Sequence, residues 1–251
     1  MPKIIENKIF EYIKKHKIVK SKDIEKIFQL TQSSSRRYLI KLESQGLINR
    51  TFGEIILNEN KNFQDQKIEN KIKTNLEVKN KIAQHASQLA LGYKTIFVDS
   101  GSNCYYLIQF LDRNIELFTN SITNANLALD LGFQNVNILG GTLKQETKSI
   151  VNFNENELEG INFPISFLGV NAIDEKGCLY TPEKREAKAK QDIMKRSLIT
   201  VVLAEKEKFN TMSTFKFSDN DSKIVIVSNI KEKDLKKMKL VSNTQIVRIK
   251  E

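Results

Sequence analysis

The 251-residue chain is poor in the residue types that most often carry chemistry. It has only two cysteines and two histidines. Cys104 and Cys178 stand in unrelated contexts without metal-ligand spacing, which argues against a cysteine metal centre or a disulfide framework; both read as small apolar fillers. His16 and His85 read as incidental surface or helix-packing residues. There is no Ser-His-Asp set, no metal-ligand cluster and no G-x-x-x-x-G-K-[ST] phosphate loop. Long apolar runs are missing as well. No stretch approaches the roughly 20 apolar residues that span a bilayer. The opening MPKIIENKIFEYIKK alternates charged with apolar residues and lacks the apolar core of a signal peptide. The expectation is a soluble cytoplasmic protein with no membrane contact, no catalytic residues, no metal and no cofactor.

What is abundant is positive charge. Forty basic against 30 acidic residues give +10. A Lys- and Asn-rich composition alone would produce such a total, so its distribution says more. Residues 1–60 hold 12 basic and 7 acidic residues, so half of the excess lies in the first quarter of the chain. A local basic excess favours a polyanion such as nucleic acid.

The chain divides at a polar segment without either periodicity, ENKNFQDQK at 59–67. The expected domains are 1–58, a linker at 59–67, and 68–251. The first part reads as three helices and a hairpin. Ile5, Ile9, Tyr12 and Ile13 recur at helical spacing. Ser21 reads as the N-cap of a second helix with Asp23 in its first turn, and Thr31 as the N-cap of a third that stops at Gly46. The hairpin turns around Phe52-Gly53. In the third helix Ser35, Tyr38, Leu39 and Leu42 share one face, while Ser33, Ser34, Arg37 and Lys41 lie largely opposite. Small hydroxyls at the start of a helix let backbone approach a phosphate, and Arg36 and Arg37 add charge and forked donors. This order of elements is that of a winged helix-turn-helix. The residues expected to meet DNA are Thr31, Gln32, Ser33, Ser34, Arg36, Arg37, Lys41 and Arg50.

The second part alternates short apolar runs, at 95–99, 115–119, 136–140, 165–170, 200–204 and 224–228, with amphipathic helical stretches such as 104–111, 122–131 and 183–197. That pattern predicts an α/β domain with a mostly parallel sheet covered on both faces. Before it, residues 68–90 read as one or two helices with Ile82, Ala83, Ala86, Leu89 and Ala90 facing inward. In such a sheet ligands bind at the C-terminal strand ends. Four ends are polar or Gly-containing: Asp99-Ser100-Gly101-Ser102-Asn103, Thr119-Asn120-Ser121, Gly140-Gly141-Thr142 and Gly169-Val170-Asn171. The first joins a strand to a helix and suits an anion; the glycines of the third permit close backbone approach. Lys190 and Lys208 are candidates to face a phosphate from that edge. Glu183 and Glu186 fit either a site or a solvated surface.

These motifs, in this order, resemble the DeoR family of bacterial transcription regulators over nearly the whole chain. Arg36-Arg37, and Leu42-Glu43 through Gly46-Leu47, resemble that family's Arg-Arg and Leu-Glu-x-x-Gly-Leu. VDSGSN is similar to LDSGTT, LGGTLKQET to its LGG segment, FLGVNAID to FxGvdgId, and AEKEKF to ADssKF. The resemblance implies a repressor that loses operator DNA on binding a phosphorylated sugar or related metabolite. It also implies an effector domain similar in fold to ribose-5-phosphate isomerase, and self-association as a homodimer or homotetramer. It implies an effector site at Asp99, Ser100, Gly101, Ser102, Thr119, Asn120, Ser121, Gly140, Gly141, Thr142, Lys190 and Lys208. Four places depart from the family pattern. Ser35 stands for Ile or Val, Tyr38 for an acid, Thr51-Phe52-Gly53 for His-Gly-Gly, and Asn171 for Asp. Two alternatives stay open: an enzyme of the sugar-phosphate isomerase type, and a constitutive DNA binder without effector response.

Overall fold

The polar segment at 59–67 separates two independently packed parts of the chain. In the computed structural model, which describes residues 2–44, 47–51, 53–57, 67–154 and 156–249, the chain forms two units, Met1–Gln66 and Lys67–Glu251. The expected linker, apart from Lys67, lies outside the described residues, as do the Gly46 stop and Phe52 of the hairpin turn.

The first unit runs α1 (Pro2–His16), β1 (Ile18–Lys20), α2 (Ser21–Ile27), α3 (Gln32–Ser44), β2 (Ile48–Arg50) and β3 (Glu54–Leu57). Its core gathers Ile9 and Ile13 of α1, Ile24 of α2, Tyr38, Leu39 and Leu42 of α3, and Val19, Ile48 and Ile55 of the strands. The apolar stripe of α3 is therefore the one read from its spacing, and Ser35 is buried with it. Thr31 caps α3, its Oγ1 accepting the Ser34 N–H at 3.3 Å. Ser21 does not cap α2. It is the first helical residue, and Lys20 ahead of it makes no side-chain cap. The reason is β1, which periodicity did not disclose. Ile18–Lys20 pairs antiparallel with β3, so extended backbone runs up to Lys20, which takes the cap position, and the helix starts one residue earlier than an N-cap at Ser21 would have it. The sheet order is β1-β3-β2, a winged helix-turn-helix with a third strand on the wing.

The second unit opens with α4 (Ile68–Ile72) and α5 (Leu76–Gln88). Then come β4 (Thr95–Val98), α6 (Ser102–Ile108), β5 (Glu116–Thr119), α7 (Ile122–Asp130) and β6 (Asn135–Ile138). A ribbon, β7 (Thr142–Lys144) with β8 (Ser149–Val151), precedes the long β9 (Phe163–Gly169). After it come β10 (Ala172–Ile173), β11 (Leu179–Thr181), α8 (Lys184–Lys195), β12 (Ser197–Ala204), β13 (Phe215–Lys216), β14 (Ile224–Ser228), α9 (Glu232–Leu235) and β15 (Thr244–Arg248).

Seven strands form one sheet in the order β15-β14-β12-β9-β4-β5-β6. Every pairing in it is parallel. Alternate residues of each strand feed opposite faces. Ile96, Val98, Ile165, Phe167, Val201 and Leu203 pack with Ile82, Ala83, Ala86 and Leu107 on one side. Phe97, Leu168, Val202 and Ala204 pack with Ala187, Ile193 and Met194 of α8 on the other. Leu89 is not part of the inward face: α5 ends at Gln88, and Leu89 is left 36% exposed. A separate small antiparallel sheet, β10-β11-β13, sits beside the main one in sequence between its strands.

Ser35 supplies a stability test. It is 1% exposed and its hydroxyl has no hydrogen-bond partner among the described residues. A buried unsatisfied hydroxyl costs about 1–3 kcal/mol. Ser35→Ala is expected to hold or raise the urea midpoint; a lowered midpoint would show that the hydroxyl has a partner after all.

Candidate functional site

On α3 the candidate side chains divide by what already holds them. Thr31 Oγ1 lies 3.1 Å from the hydroxyls of both Ser33 and Ser34, so the three form one cluster at the helix start. Gln32, Ser33, Arg36 and Arg37 are exposed. The Arg37 guanidinium lies 5.6 Å from the centre of the Tyr38 ring. Two of the cations expected to reach outward are drawn back. Lys41 is paired with Glu6 of α1, a carboxylate only 6% exposed, and Arg50 donates from its backbone N–H and its guanidinium to Glu43 at 3.1 and 3.4 Å.

In the second unit the strand order reverses at β4. From there β5 and β6 run outward on one side, and β9, β12, β14 and β15 on the other. Such a switch point leaves a crevice at the C-terminal strand ends. The chain enters it as Asp99-Ser100-Gly101, with Gly101 at φ +124°, where L side chains are strained, and then begins α6. A Cβ added to Gly169, the last residue of β9, would lie 3.0 Å from the Ser100 carbonyl oxygen. The two strand ends therefore touch, and the touch is fastened by charge. Asp99 Oδ2 accepts the Gly169 N–H at 3.0 Å and is paired with Lys190 of α8, whose Nζ also donates to the Gly169 carbonyl at 3.1 Å.

Lys190 is thus not the cation facing outward that its place in the sequence suggested. It is 2% exposed and enclosed by carboxylates, with Glu186 at 3.5 Å on its other side. Burial disfavours its charged form, but Asp99 and Glu186 outweigh that and hold the ammonium above the usual lysine range. The alternation continues outward. Glu186 meets Lys144 of β7 at 3.4 Å, Lys144 meets Glu183 at 3.0 Å, and Glu183 meets Arg185 at 2.8 Å. Glu183 and Glu186, ambiguous by sequence, are members of this chain.

The other candidates are sorted by their partners. Thr119, Asn120 and Ser121 are buried and brace the loops. Thr119 Oγ1 donates to the Val98 carbonyl at 2.6 Å, Asn120 Oδ1 accepts the Ser100 N–H at 2.9 Å, and Ser121 Oγ caps α7 through the Asn124 N–H at 3.2 Å. Gly140 and Gly141 are glycine for a packing reason. A Cβ on Gly141 would lie 2.8 and 2.9 Å from the carbonyl oxygens of Asn152 and Val151, so the neighbouring chain by itself requires the bare backbone. Thr142 is exposed at the start of β7, and the segment begins two strands away from β4. Lys208, half-buried, ends the short turn Lys206–Lys208 after β12 on the same edge. Ser102 and Asn103 are buried in the first turn of α6, and the Asn103 amide oxygen has no partner among the described residues. Burial pushes the nearby Cys104 thiol well above its usual range, which keeps it unreactive.

A second buried pair escaped the sequence reading. Lys79 of α5, 1% exposed, meets Glu205 just after β12 at 3.2 Å and also donates to the Thr74 carbonyl. Asn75, at φ +52°, donates to the other Glu205 oxygen at 2.6 Å. Burial pushes the Lys79 ammonium below its usual range against the pull of Glu205. Further bonds tie the same segment to the edge loops. Ile68 N–H donates to the Glu146 carbonyl at 2.9 Å, Glu69 pairs with Lys148 at 2.7 Å, and the Tyr106 hydroxyl of α6 donates to the Ile72 carbonyl at 3.0 Å.

Two family models match the chain: a DeoR-like helix-turn-helix domain over residues 6–61 and a DeoR C-terminal sensor domain over 74–229. The chain belongs to the DeoR family. It is a DNA-binding transcriptional regulator. The helix-turn-helix match contains α3, and the sensor match contains the whole polar edge from Asp99 to Lys208. Among the relatives of this DeoR-family regulator is the uncharacterized HTH-type transcriptional regulator FruR of Bacillus subtilis, 28% identical over 89% of this chain and 90% of that protein. Another is the HTH-type transcriptional repressor GlcR of the same organism, 25% identical over 88% of this chain and 86% of that protein. Ribose 5-phosphate isomerase A of Methanocaldococcus jannaschii aligns with 54% of this chain and 55% of its own at 17% identity and a TM-score of 0.41, a partial likeness.

The Asp99–Lys190 pair in this regulator has a measurable signature. Lys190→Met leaves Asp99 buried without its cation and Glu186 with Lys144 alone, and is expected to cost about 3–5 kcal/mol in urea unfolding. Pairing it with Asp99→Asn is expected to restore a large part of that loss. A double variant as unstable as the sum of the singles would mean the two side chains do not act as a pair.

Proposed function

We propose that this DeoR-family regulator is a repressor of genes for sugar uptake or catabolism, released from its operator when a phosphorylated sugar or related metabolite binds at the β4–β9 switch point. The observation that carries this reading is the first turn of α6. Gly101 ahead of it provides no side-chain cap, and the first N–H groups of a helix have no acceptor within it. Those donors suit a phosphate. The unpartnered, buried Asn103 oxygen is an acceptor, which a phosphate does not satisfy and a sugar hydroxyl does. Lys208 adds positive charge on the same edge, and Lys190, engaged by Asp99, holds the site together. A homo-oligomer would set two α3 helices in successive major grooves of a pseudo-palindromic operator, with Arg36, Arg37 and the Thr31–Ser34 hydroxyls at phosphates or base edges. The repressor sense is supported by the name of the GlcR relative. The protein binds its metabolite without turning it over, since Asn171 is an amide and cannot act as a general base.

The signal would leave the site through the α4–α5 segment, which is bonded to α6, to the β7–β8 turn and to Glu205. A coupling of about 1–3 kcal/mol, or roughly 5- to 150-fold in operator affinity, is typical of such links.

A thermal-shift screen against sugar phosphates and their unphosphorylated counterparts tests the reading. A bound effector at about 100 times its dissociation constant adds roughly 2.7 kcal/mol of stability. Phosphorylated compounds alone are expected to raise the melting temperature, and the same compound to weaken operator binding. No shift across the panel would leave a constitutive DNA binder, and turnover of a hit would make the protein an isomerase-type enzyme. Glu205→Gln, which loosens Lys79, is expected to keep the thermal shift while shrinking the change in operator affinity.

A further inference from the structure

The DNA-facing side of α3 contains one residue that neither the fold nor phosphate binding explains. Ile40 is 48% exposed and is the only large apolar side chain that the described part of α3 leaves exposed. It stands opposite the stripe of Ser35, Tyr38, Leu39 and Leu42 that enters the core. At helical spacing its neighbours are Arg36, Arg37 and Ser33, four, three and seven residues before it, and Glu43, three residues after it, which is paired with Arg50. A β-branched residue is a poorer helix former than lysine, arginine or glutamine, so helix stability gives no reason for isoleucine at this position. Its exposed apolar surface finds no partner in the core of its own unit. Before it the face is cationic and hydroxylated, complementary to DNA, and the one carboxylate that follows, Glu43, is neutralised by Arg50.

In the major groove the bases present hydrogen-bonding groups and a single apolar one, the 5-methyl of thymine. We propose that Ile40 packs against that methyl group and so selects thymine at one position of each half-site, flanked by the arginines that fix the helix on the backbone. The contact is directional in what it rejects. Cytosine offers an amino donor at the neighbouring position, and burying that donor against isoleucine without an acceptor is unfavourable. The proposal rests on the DNA-binding role of the family and adds which residue reads which base.

The test needs no effector. Full-length protein is used to select duplexes from a random pool, and each thymine of the enriched site is then replaced by deoxyuridine, which removes only the methyl. Wild-type affinity is expected to fall about four-fold at one thymine per half-site, the equivalent of roughly 0.8 kcal/mol for one buried methyl-sized group. Ile40→Ala is expected to bind the thymine and uracil duplexes alike. Ile40→Lys is expected to bind more tightly to all duplexes and equally to both. Arg36→Ala is expected to lose affinity while keeping the thymine preference. Equal wild-type binding to every uracil duplex overturns the proposal, and so does a thymine preference that survives in Ile40→Ala. A change of oligomeric state in Ile40→Ala with unchanged thymine preference would assign the residue to a contact with a second copy. Enrichment of no sequence at all would reject sequence-specific DNA reading itself, a failure separate from that of Ile40.

Discussion

Asp99 closes a parallel sheet at the point where its order reverses. Two neighbouring strand ends there, β4 and β9, bring carbonyl groups and polar side chains into the same space. The carboxylate takes the Gly169 N–H and the Lys190 ammonium together, so one side chain joins β4, β9 and α8. The rest of the edge is arranged around it. Asn120 and Asn124 fix the backbone of the same loop, the latter by donating to the Asp99 carbonyl at 2.9 Å. Glu186, Lys144 and Glu183 alternate in sign away from Lys190 towards the ribbon β7–β8. Removing a charge from the middle of such a series leaves its neighbours buried and unpaired, which is why the series behaves as a unit.

The strands of the sheet were legible because burial on both faces makes them near-continuous apolar runs. The runs at 95–99, 115–119, 165–170, 200–204 and 224–228 each hold a strand at the expected place. β15 was not legible. Thr244–Arg248 has two apolar residues after a lysine-rich stretch, and its strand character comes from pairing, with Ile246 beside Ile226. The same holds for β1 and for the two- and three-residue strands of β10, β11 and β13, too short to show a period.

The loops of the site could be read as chemistry but not as partnerships. Lys190 and Asp99 are 91 residues apart, and nothing local to either distinguishes a lysine aimed at a phosphate from one closed on a carboxylate. Gly140-Gly141 matched the pattern of a ligand-approach loop, and nothing local to it showed that the Val151 and Asn152 carbonyls also demand a glycine at 141. Lys79 was the readable exception. It stands three and four residues before Ile82 and Ala83, on the apolar stripe of α5, where a lysine is out of place unless it has a buried partner.

The pairing of Lys41 with Glu6, and of Arg50 with Glu43, has a consequence for the thermodynamics of ion release. A protein that neutralises DNA phosphates frees condensed cations from the duplex, and the number freed sets how steeply affinity falls with added salt. Lys41 and Arg50 come with carboxylate counterions built into the chain. On meeting phosphate they exchange one anion for another, and the displaced carboxylates recruit cations from solution in turn. The net release is smaller than the number of basic groups on the face, and the grip on DNA would be correspondingly less sensitive to ionic strength than the 12 basic residues of the first 60 would suggest.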